Sequence, residues 1–465
     1  MKLTFHGAAG TVTGSKHLIT LKNDKQILLD CGMFQGMPTD ALFSNDVLGF
    51  DPSHVDYVFL SHAHIDHSGL LPLLVKRGFN GRIFASSGTL DMTEILLRDS
   101  AFIQAADVRF MKKKREYNGK IEEPLYTMED VDNTLACFES LQTEIPTVID
   151  NDLEVTLFNN GHILGATTVF LTLKEDGRRV RLSYSGDVGR YGDAILKSPS
   201  NLPQADYIIV ESTYGDRLHE KVESTPEDLR DIIVETCVSK RGKLIIPAFS
   251  VGRTQELLYS LNELELDNRL PKVAYYVDSP LSTKATLVVK RHPECFNRSV
   301  QKIMKYDKDP FQFKGLKYIE DKRASQALNS TTEPCVIISA SGMAEAGRVK
   351  HHIANSISDA RNSILLVGYC EKNTLGAKLK LHPESVTIYG EEYPVNADIF
   401  SIESMSAHAD YNDLCQYLST QNPEEVTRVF VVHGEPDAQK AFKERLFKKG
   451  FKDVLIPEMH ETFTL

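Results

Sequence analysis

The sequence has no tryptophan and no Cys-x-x-Cys pair, and its seven cysteines are scattered along the chain. An odd number of unpaired cysteines argues against a disulfide framework and against a zinc site built from thiolates. No segment approaches the ~18 consecutive apolar residues of a membrane-spanning helix, and the N-terminal residues lack the pattern of a signal peptide. These absences predict a cytoplasmic protein without membrane association.

Positive charge is also scarce. The chain carries 53 Lys and Arg residues against 64 Asp and Glu residues, which gives a net charge of -11. Any contact with a polyanion would therefore depend on a local basic surface. The densest basic run, Lys112 to Arg115, is better explained as a solvated helix face.

Apolar residues are plentiful, at 42% of 465 positions, which is enough for two globular domains. In the first 210 or so residues, short apolar runs repeatedly end at histidine or aspartate. Because strand ends can bring such side chains together at one edge, these runs predict a sandwich of sheets around one site. The runs are Ile27–Leu29 before Asp30, Val55–Leu60 before His62, Val155–Phe158 before His162, and Arg181–Tyr184 before Asp187.

A different pattern begins near residue 221, where apolar strands alternate with helical segments. This alternation predicts an inserted α/β domain with a mainly parallel sheet. The tail returns to the first pattern, with Ala397–Ile402 before His408 and Val429–Val432 before His433. We therefore predict a first domain at residues 1–213, an inserted domain at 214–392, and a return segment at 393–465.

The strongest motif is Ser61-His62-Ala63-His64-Ile65-Asp66-His67, which follows a strand directly. A tight loop can direct His62 and His64 one way and Asp66 and His67 another, as two adjacent metals require. An ordinary polar loop is the alternative, but four converging ligand-type side chains serve no purpose in packing.

This His-x-His-x-Asp-His motif resembles the hallmark of the metallo-β-lactamase superfamily. Asp30, His162 in Asn160-Gly161-His162, and Asp187 in Ser185-Gly186-Asp187 resemble its other motifs. The resemblance implies an αββα sandwich and two Zn²⁺ ions per chain. By the same resemblance, one ion is held by His62, His64 and His162 and the other by Asp66 and His67, and Asp187 bridges the two.

The resemblance also implies the chemistry of this site. Two zinc ions share a hydroxide that attacks the scissile bond, and such a site suits phosphodiester hydrolysis. Asp66 orients that hydroxide, and Asp30 fixes a ligand loop by hydrogen bonds.

Three later motifs resemble those of the β-CASP nucleases, whose inserted domain corresponds to the predicted α/β domain. They contain Glu211 in Val210-Glu211-Ser212-Thr213, His408 in Ser406-Ala407-His408-Ala409, and His433 in Val432-His433-Gly434. Taken alone, Glu211 is more typical of a helix cap or a surface acid. The family implies that His433 completes the second zinc site and that His408 is the general acid, held by Glu211.

The resemblance extends to the RNA-cutting branch, related to the endonuclease of messenger-RNA 3′-end processing and its bacterial and archaeal relatives. A histidine at the position of His433 goes with RNA-directed members, whereas DNA-repair members usually carry valine. The loops 247–253, 278–280 and 339–343 also resemble that branch. Their small residues can offer backbone N–H groups to phosphates. We select Ser341, Arg253 and Arg348 as candidate substrate contacts.

The sequence therefore predicts a zinc-dependent ribonuclease that binds single-stranded RNA in an inter-domain cleft. Three alternatives remain: a DNA nuclease of the same architecture, a small-molecule metallo-hydrolase, and a non-catalytic binding subunit. The last is disfavoured because no expected ligand is missing. Whether RNA is trimmed from an end or cut internally stays open, as does a homodimer.

Overall fold

The computed structural model describes residues 1–36, 44–113, 123–219, 225–368, 370, 373–402 and 406–465. It divides into two compact units, of which the first comprises Met1–Leu218 and His408–Leu465 and the second His219–Ala407. The predicted basic run at 112–115 extends outside the described residues.

The first unit contains two seven-stranded sheets, and strands are numbered here along the whole chain. Its strands are β1 (Lys2–Phe5), β2 (His17–Thr20), β3 (Gln26–Leu29), β4 (Val55–Phe59), β5 (Arg82–Ala85), β6 (Phe138–Ser140), β7 (Thr147–Asp150), β8 (Leu153–Asn159), β9 (Thr167–Glu175), β10 (Arg178–Tyr184), β11 (Tyr207–Glu211), β20 (Arg428–Val432), β21 (Val454–Leu455) and β22 (Thr462–Thr464). One sheet has the order β22-β1-β2-β3-β4-β5-β6, and the other has the order β21-β20-β11-β10-β9-β8-β7.

Helices cover the outer faces of these two sheets. They are α1 (Ile65–Ser68), α2 (Leu71–Lys76), α3 (Ser87–Lys113), α4 (Met128–Leu135), α12 (Tyr411–Tyr417) and α13 (Pro436–Lys448). Apolar residues of both sheets, such as Phe59 and Ile209, form one buried cluster between them. Leu97 of α3 and Phe442 of α13 belong to two further clusters, one on each outer face. This layering confirms the predicted αββα sandwich.

The second unit is built around a six-stranded parallel sheet with the order β14-β13-β15-β12-β16-β19. Its strands are β12 (Lys243–Pro247), β13 (Ala274–Val277), β14 (Leu316–Tyr318), β15 (Cys335–Ser339), β16 (Ser363–Val367) and β19 (Asp398–Ile402), with a separate hairpin of β17 (Ser385–Ile388) and β18 (Glu391–Pro394). Every residue of β12, β15 and β16 is buried, as expected for the centre of a covered parallel sheet. The predicted α/β architecture is therefore confirmed.

Helices accompany these strands along the chain. They are α5 (Thr225–Ile233), α6 (Arg253–Leu266), α7 (Pro280–Arg291), α8 (Arg298–Ile303), α9 (Lys322–Ser330), α10 (Gly347–Ala354) and α11 (Leu375–Lys380). Ser279 begins α7 because its side chain accepts a hydrogen bond from the N–H of Ser282, and proline follows at the first helical position.

The sheet membership of β19 differs from the expectation that the chain returns to the first domain at residue 393. In the structure, β19 lies at the edge of the parallel sheet and pairs with β16, with Ser363 opposite Asp398. The boundary falls instead between Ala407 and His408. The apolar run before His408 resembles a strand of either unit, and only its pairing partner distinguishes them.

No helix in the described ranges is both long enough and apolar enough to cross a membrane.

Candidate metal centre

The predicted metal-ligand residues lie together at strand ends of the first unit. His62 follows β4, His162 follows β8, Asp187 follows β10, and His433 follows β20. Their ligand-type atoms form two groups, in each of which all atoms lie within 4.8 Å of one another. The first group is His62, His64, His162 and Asp187, and the second is Asp66, His67 and His433.

The three histidines of the first group present ring nitrogens to a common point. Nδ1 of His64 lies 3.2 Å from Nε2 of His62 and 3.2 Å from Nε2 of His162. Burial lowers the pKa of His64 to about 4 and holds the pKa of His62 and of His162 well below the usual range. All three imidazoles are therefore neutral at physiological pH and keep a lone pair for a metal.

The second group combines two histidines with a carboxylate. Nε2 of His433 lies 3.3 Å from Nε2 of His67 and 3.4 Å from Oδ2 of Asp66. Burial opposes the charge on Asp66, but the hydrogen bond from His433 and the charge of His67 hold the pKa of Asp66 below its ordinary value. Asp66 is therefore an anionic oxygen donor.

Asp187 belongs to the first group and also faces the second. Its Oδ2 is 3.5 Å from Nε2 of His62 and 3.6 Å from Nε2 of His162. Its Oδ1 is 3.2 Å from Nε2 of His67 and 3.4 Å from Nδ1 of His433. One carboxylate thus presents one oxygen to each group of imidazoles, which is the arrangement of a bridging ligand.

The spacing of these donors fits a metal centre. Two ligand atoms of a tetrahedral zinc ion are roughly 3.3 Å apart when each bond is about 2.0–2.1 Å long. In addition, Oδ1 of Asp187 is buried and accepts no hydrogen bond within the described part of the chain. A buried carboxylate oxygen that has ring nitrogens near it but no well-formed hydrogen bond is suited to a cation.

Asp30 is completely buried and contacts residues of this centre through hydrogen bonds. Its Oδ1 accepts a hydrogen bond from the N–H of Ser61, and its Oδ2 lies within 2.7 Å of the Ser61 hydroxyl, Nδ1 of His67 and the Tyr184 hydroxyl. These contacts fix the loop after β4 and the orientation of the His67 ring. Asp30 itself lies in the left-handed backbone region, with φ of 58°, which is a strained conformation typical of functional sites.

The neighbouring loops approach Asp66 very closely. A Cβ atom on Gly32 would lie 1.6 Å from the carbonyl oxygen of Asp66, so only glycine fits there. Lys16, which is fully buried, donates hydrogen bonds to the carbonyls of Gly14 and Gly32. Burial lowers the pKa of Lys16 to about 8.

His408 and Glu211 lie beside the first group. Nδ1 of His408 is 3.3 Å from Oε1 of Glu211 and 3.9 Å from Oδ2 of Asp187. Glu211 is completely buried, and it also accepts hydrogen bonds from the N–H groups of Val188 and Thr213. Burial opposes the charge on His408, but Glu211 raises the pKa of His408 to about 9.

The three candidate substrate residues lie in the second unit. Arg253 begins α6 and is buried in an ion pair with Glu256. Arg348 donates to Oδ1 of Asp278 at 2.7 Å and to two backbone carbonyls. Ser341 lies in the loop after β15. Both arginines already have carboxylate partners, which the sequence did not reveal.

Sequence reasoning missed Tyr184, Thr213 and Lys16. The hydroxyl of Thr213 lies 3.1 Å from Nδ1 of His433, and Tyr184 contacts Asp30 as described above. Tyr184 and Thr213 each lie within three residues of a predicted site residue. That proximity was the available signal, but adjacency along the chain does not show where a side chain points.

Comparison with family models gives three matches. Residues 12–130 match the metallo-beta-lactamase superfamily, and residues 254–379 match the Beta-Casp domain. Residues 392–457 match a model described as the Zn-dependent metallo-hydrolase RNA specificity domain.

Similar proteins align over nearly the whole chain. Ribonuclease TTHA0252 of Thermus thermophilus is 35% identical over 450 residues, which are 97% of this chain and 97% of that protein. Transcription termination factor FttA of Methanocaldococcus jannaschii is 29% identical, over 97% of this chain and 70% of its own length. Cleavage and polyadenylation specificity factor 73 of Drosophila melanogaster is 29% identical, over 94% of this chain and 60% of its own length.

A solved structure shares the fold. The crystal structure of a protein of unknown function from Enterococcus faecalis superposes with a TM-score of 0.56 at 13% identity, covering 100% of this chain and 99% of that one. The extent and identity of the match to the Thermus ribonuclease, together with the family models, confirm the resemblance seen in the motifs. The chain belongs to the β-CASP family of the metallo-β-lactamase superfamily.

Proposed function

We propose that this protein is a ribonuclease that hydrolyses phosphodiester bonds of single-stranded RNA with two zinc ions. The observation that carries the proposal is the position of Asp187, whose two oxygens face two separate groups of imidazoles. The names of the relatives, a ribonuclease among them, favour RNA as the substrate.

The donors divide naturally between two ions. His62, His64 and His162 would hold one, Asp66, His67 and His433 would hold the other, and Asp187 would bridge them. When bound, a zinc pair lowers the pKa of water and neutralises charge on a phosphoryl group, which is the chemistry that hydrolysis requires.

Asp66 has a second role in this proposal. It is an anion at neutral pH, and 18% of its side chain is exposed, whereas Asp187 is almost fully buried. An accessible carboxylate oxygen can accept the proton of an attacking water and orient that water. Asp30 does not reach the substrate in this scheme, because its contacts hold Ser61, His67 and Tyr184 in position.

His408 is the proton donor in the proposal. Because Nδ1 faces Glu211, the proton on Nδ1 is held there, and a second proton resides on Nε2. Glu211 raises the pKa of His408 above its ordinary value, which favours the protonated ring. Nε2–H can therefore protonate the departing ribose oxygen, a step that a lactam or thioester hydrolase would not need.

The first experiment is hydrolysis of one labelled single-stranded oligonucleotide, prepared as RNA and as matched DNA, with zinc supplied. We expect preferential cutting of RNA that disappears in an Asp66→Ala variant. The ladder of products separates trimming from internal cleavage. Preferential cutting of DNA would replace the proposal with a DNA nuclease, and no cutting by zinc-loaded protein would overturn it.

A further inference from the structure

The carboxyl ends of β12 and β15 form a switch point in the parallel sheet of the second unit. The two strands are neighbours, yet the chain goes from β12 to β13 on one side and from β15 to β16 on the other. In open α/β sheets, ligands bind outside the carboxyl ends of strands at such a point. Phe249 follows β12 there, and Gly342 follows β15.

Phe249 is presented to solvent at this position. Its exposed fraction is 42%, although exposing an aromatic ring forgoes the free energy of its burial. One side of the ring rests on Gly342, because a Cβ atom on Gly342 would lie only 2.7 Å from Cδ2 of the ring. The backing glycine leaves part of the ring accessible.

The loop that carries Phe249 is firmly held. The Phe249 carbonyl accepts hydrogen bonds from the N–H of Thr254 at 3.2 Å and from the Thr254 hydroxyl at 2.7 Å. The side-chain amide of Gln255 donates to the carbonyl of Ser250. A ring on such a fixed loop loses little conformational entropy when a ligand binds.

The two arginines at this edge already have carboxylate partners. The N–H of Arg253 donates to the carbonyl of Val251, and the side chain of Arg253 pairs with Glu256. Arg348 pairs with Asp278. Among its side chains, the loop after β12 therefore offers a nucleotide an aromatic face, whereas Arg253 is already held in an ion pair.

We infer that Phe249 stacks on a nucleobase of the RNA substrate, an inference that rests on the proposed ribonuclease function. The π-face of any base can stack on an aromatic ring, so this contact binds single-stranded RNA without selecting its sequence. The stacking contact contributes to substrate binding and takes no part in the proton transfers of Asp66 and His408.

The test compares wild type with a Phe249 variant on a series of RNA substrates. Steady-state cleavage is measured for a short single-stranded RNA and for the same RNA with one nucleotide after another made abasic, using wild type and Phe249→Ala. With the intact RNA, the KM of Phe249→Ala should rise on the order of 10-fold with kcat nearly unchanged, as expected for one lost base–aromatic stack. At one position, removing the base should raise the wild-type KM by as much as Phe249→Ala raises it with intact RNA. With that substrate, wild type and Phe249→Ala should have the same KM.

Further variants separate stacking from a general loss of packing. Phe249→Tyr should restore the wild-type KM, whereas Phe249→Leu should not. Gly342→Ala should raise the KM, because the added methyl group displaces the ring. Tyr306→Ala removes an aromatic ring that is 72% exposed in the same unit, and it should change nothing.

Two results distinguish a failure of the stacking contact from a failure of the proposed function. If wild type cuts RNA but Phe249→Ala leaves KM unchanged, or if its effect persists with every abasic substrate, Phe249 does not stack on a base and the proposed function stands. The ring would then be free to serve a protein partner instead. If wild type cuts no RNA, both the inference and the proposed function are overturned.

Discussion

Asp187 in the first unit and Asp278 in the second are both buried carboxylates that follow a strand and face histidine. Oδ1 of Asp278 accepts a hydrogen bond from Arg348 at 2.7 Å, and Oδ2 accepts hydrogen bonds from His352 at 2.6 Å and from Ser325 at 2.5 Å. The ring nitrogens around Asp187 lie farther away, at 3.2–3.6 Å.

The difference teaches how to separate a structural cluster from a metal centre. Asp278 is satisfied by protein donors at hydrogen-bonding distance, so nothing else is needed there. Around Asp187 the spacing is that of ligands sharing a cation, and one oxygen accepts no hydrogen bond from a described residue. Residue types alone would not have separated the two, since both include aspartate and histidine.

Asp187→Asn is expected to have the largest effect, and it tests whether Asp187, unlike Asp278, belongs to a metal centre. The variant should lose bound zinc and reduce RNA hydrolysis on the order of 10⁴-fold, because several kcal/mol of charge stabilisation disappear. The metal-free variant should unfold with a free energy within about 1 kcal/mol of metal-free wild type, because few hydrogen bonds are lost. Elemental analysis, kinetics and denaturant melts measure these quantities; a variant that keeps its zinc would contradict a bridging role.

The next effect concerns His408→Ala. Hydrolysis should fall about 10³-fold, since a positioned general acid contributes 10²- to 10⁴-fold, while zinc content stays at the wild-type level. His67→Ala is the matched variant, and it should lose metal. Loss of zinc from His408→Ala would instead make His408 a ligand, together with its neighbours Asp187 and Glu211.

Asp278→Asn should act on stability. Removing one charge from this buried network should lower the free energy of unfolding by about 3 kcal/mol and leave zinc content unchanged. Burial opposes ionisation, but His352, Ser325 and Arg348 hold the pKa of Asp278 below its ordinary value of 3.8. The advantage of wild type is therefore present above about pH 4 and is lost as pH falls through the lowered pKa. Denaturant melts across this pH range measure the difference in free energy of unfolding between wild type and Asp278→Asn. A difference that grows as the pH falls would contradict the prediction.

The smallest effect is expected for Tyr184→Phe. The substitution removes one hydrogen bond to Asp30 and keeps those from Ser61 and His67. Zinc affinity should fall roughly 10-fold, as for other residues that orient a metal ligand from behind. Competition with a chelator measures this change, and unaltered affinity would show that Ser61 and His67 alone fix Asp30.

Local patterns predicted a large part of the fold. The run Ile27–Leu29 lies within β3, and the run Val429–Val432 before His433 lies within β20, because continuous apolar segments between polar ones mark buried strands. The His-x-His-x-Asp-His spacing likewise brought its side chains into the two groups. Their assignment as metal ligands stays a prediction.

Long-range pairing set the limit of sequence reasoning. The strand Asp398–Ile402 could have joined either unit, and its pairing with β16 depends on residues distant in the chain. For the same reason, no local pattern indicated that Arg348 pairs with Asp278, 70 positions earlier. Whether Ser341 touches substrate stays a prediction.

The pairing of β11 with β20 has a consequence for synthesis of the protein. These adjacent parallel strands, with Tyr207 opposite Arg428, are separated by the entire second unit. A chain still on the ribosome that has emerged only through the second unit lacks β20 and His433, and with them one member of the second ligand group. Synthesis must therefore reach β20 before the first unit, and the cluster of side chains at its strand ends, can be completed.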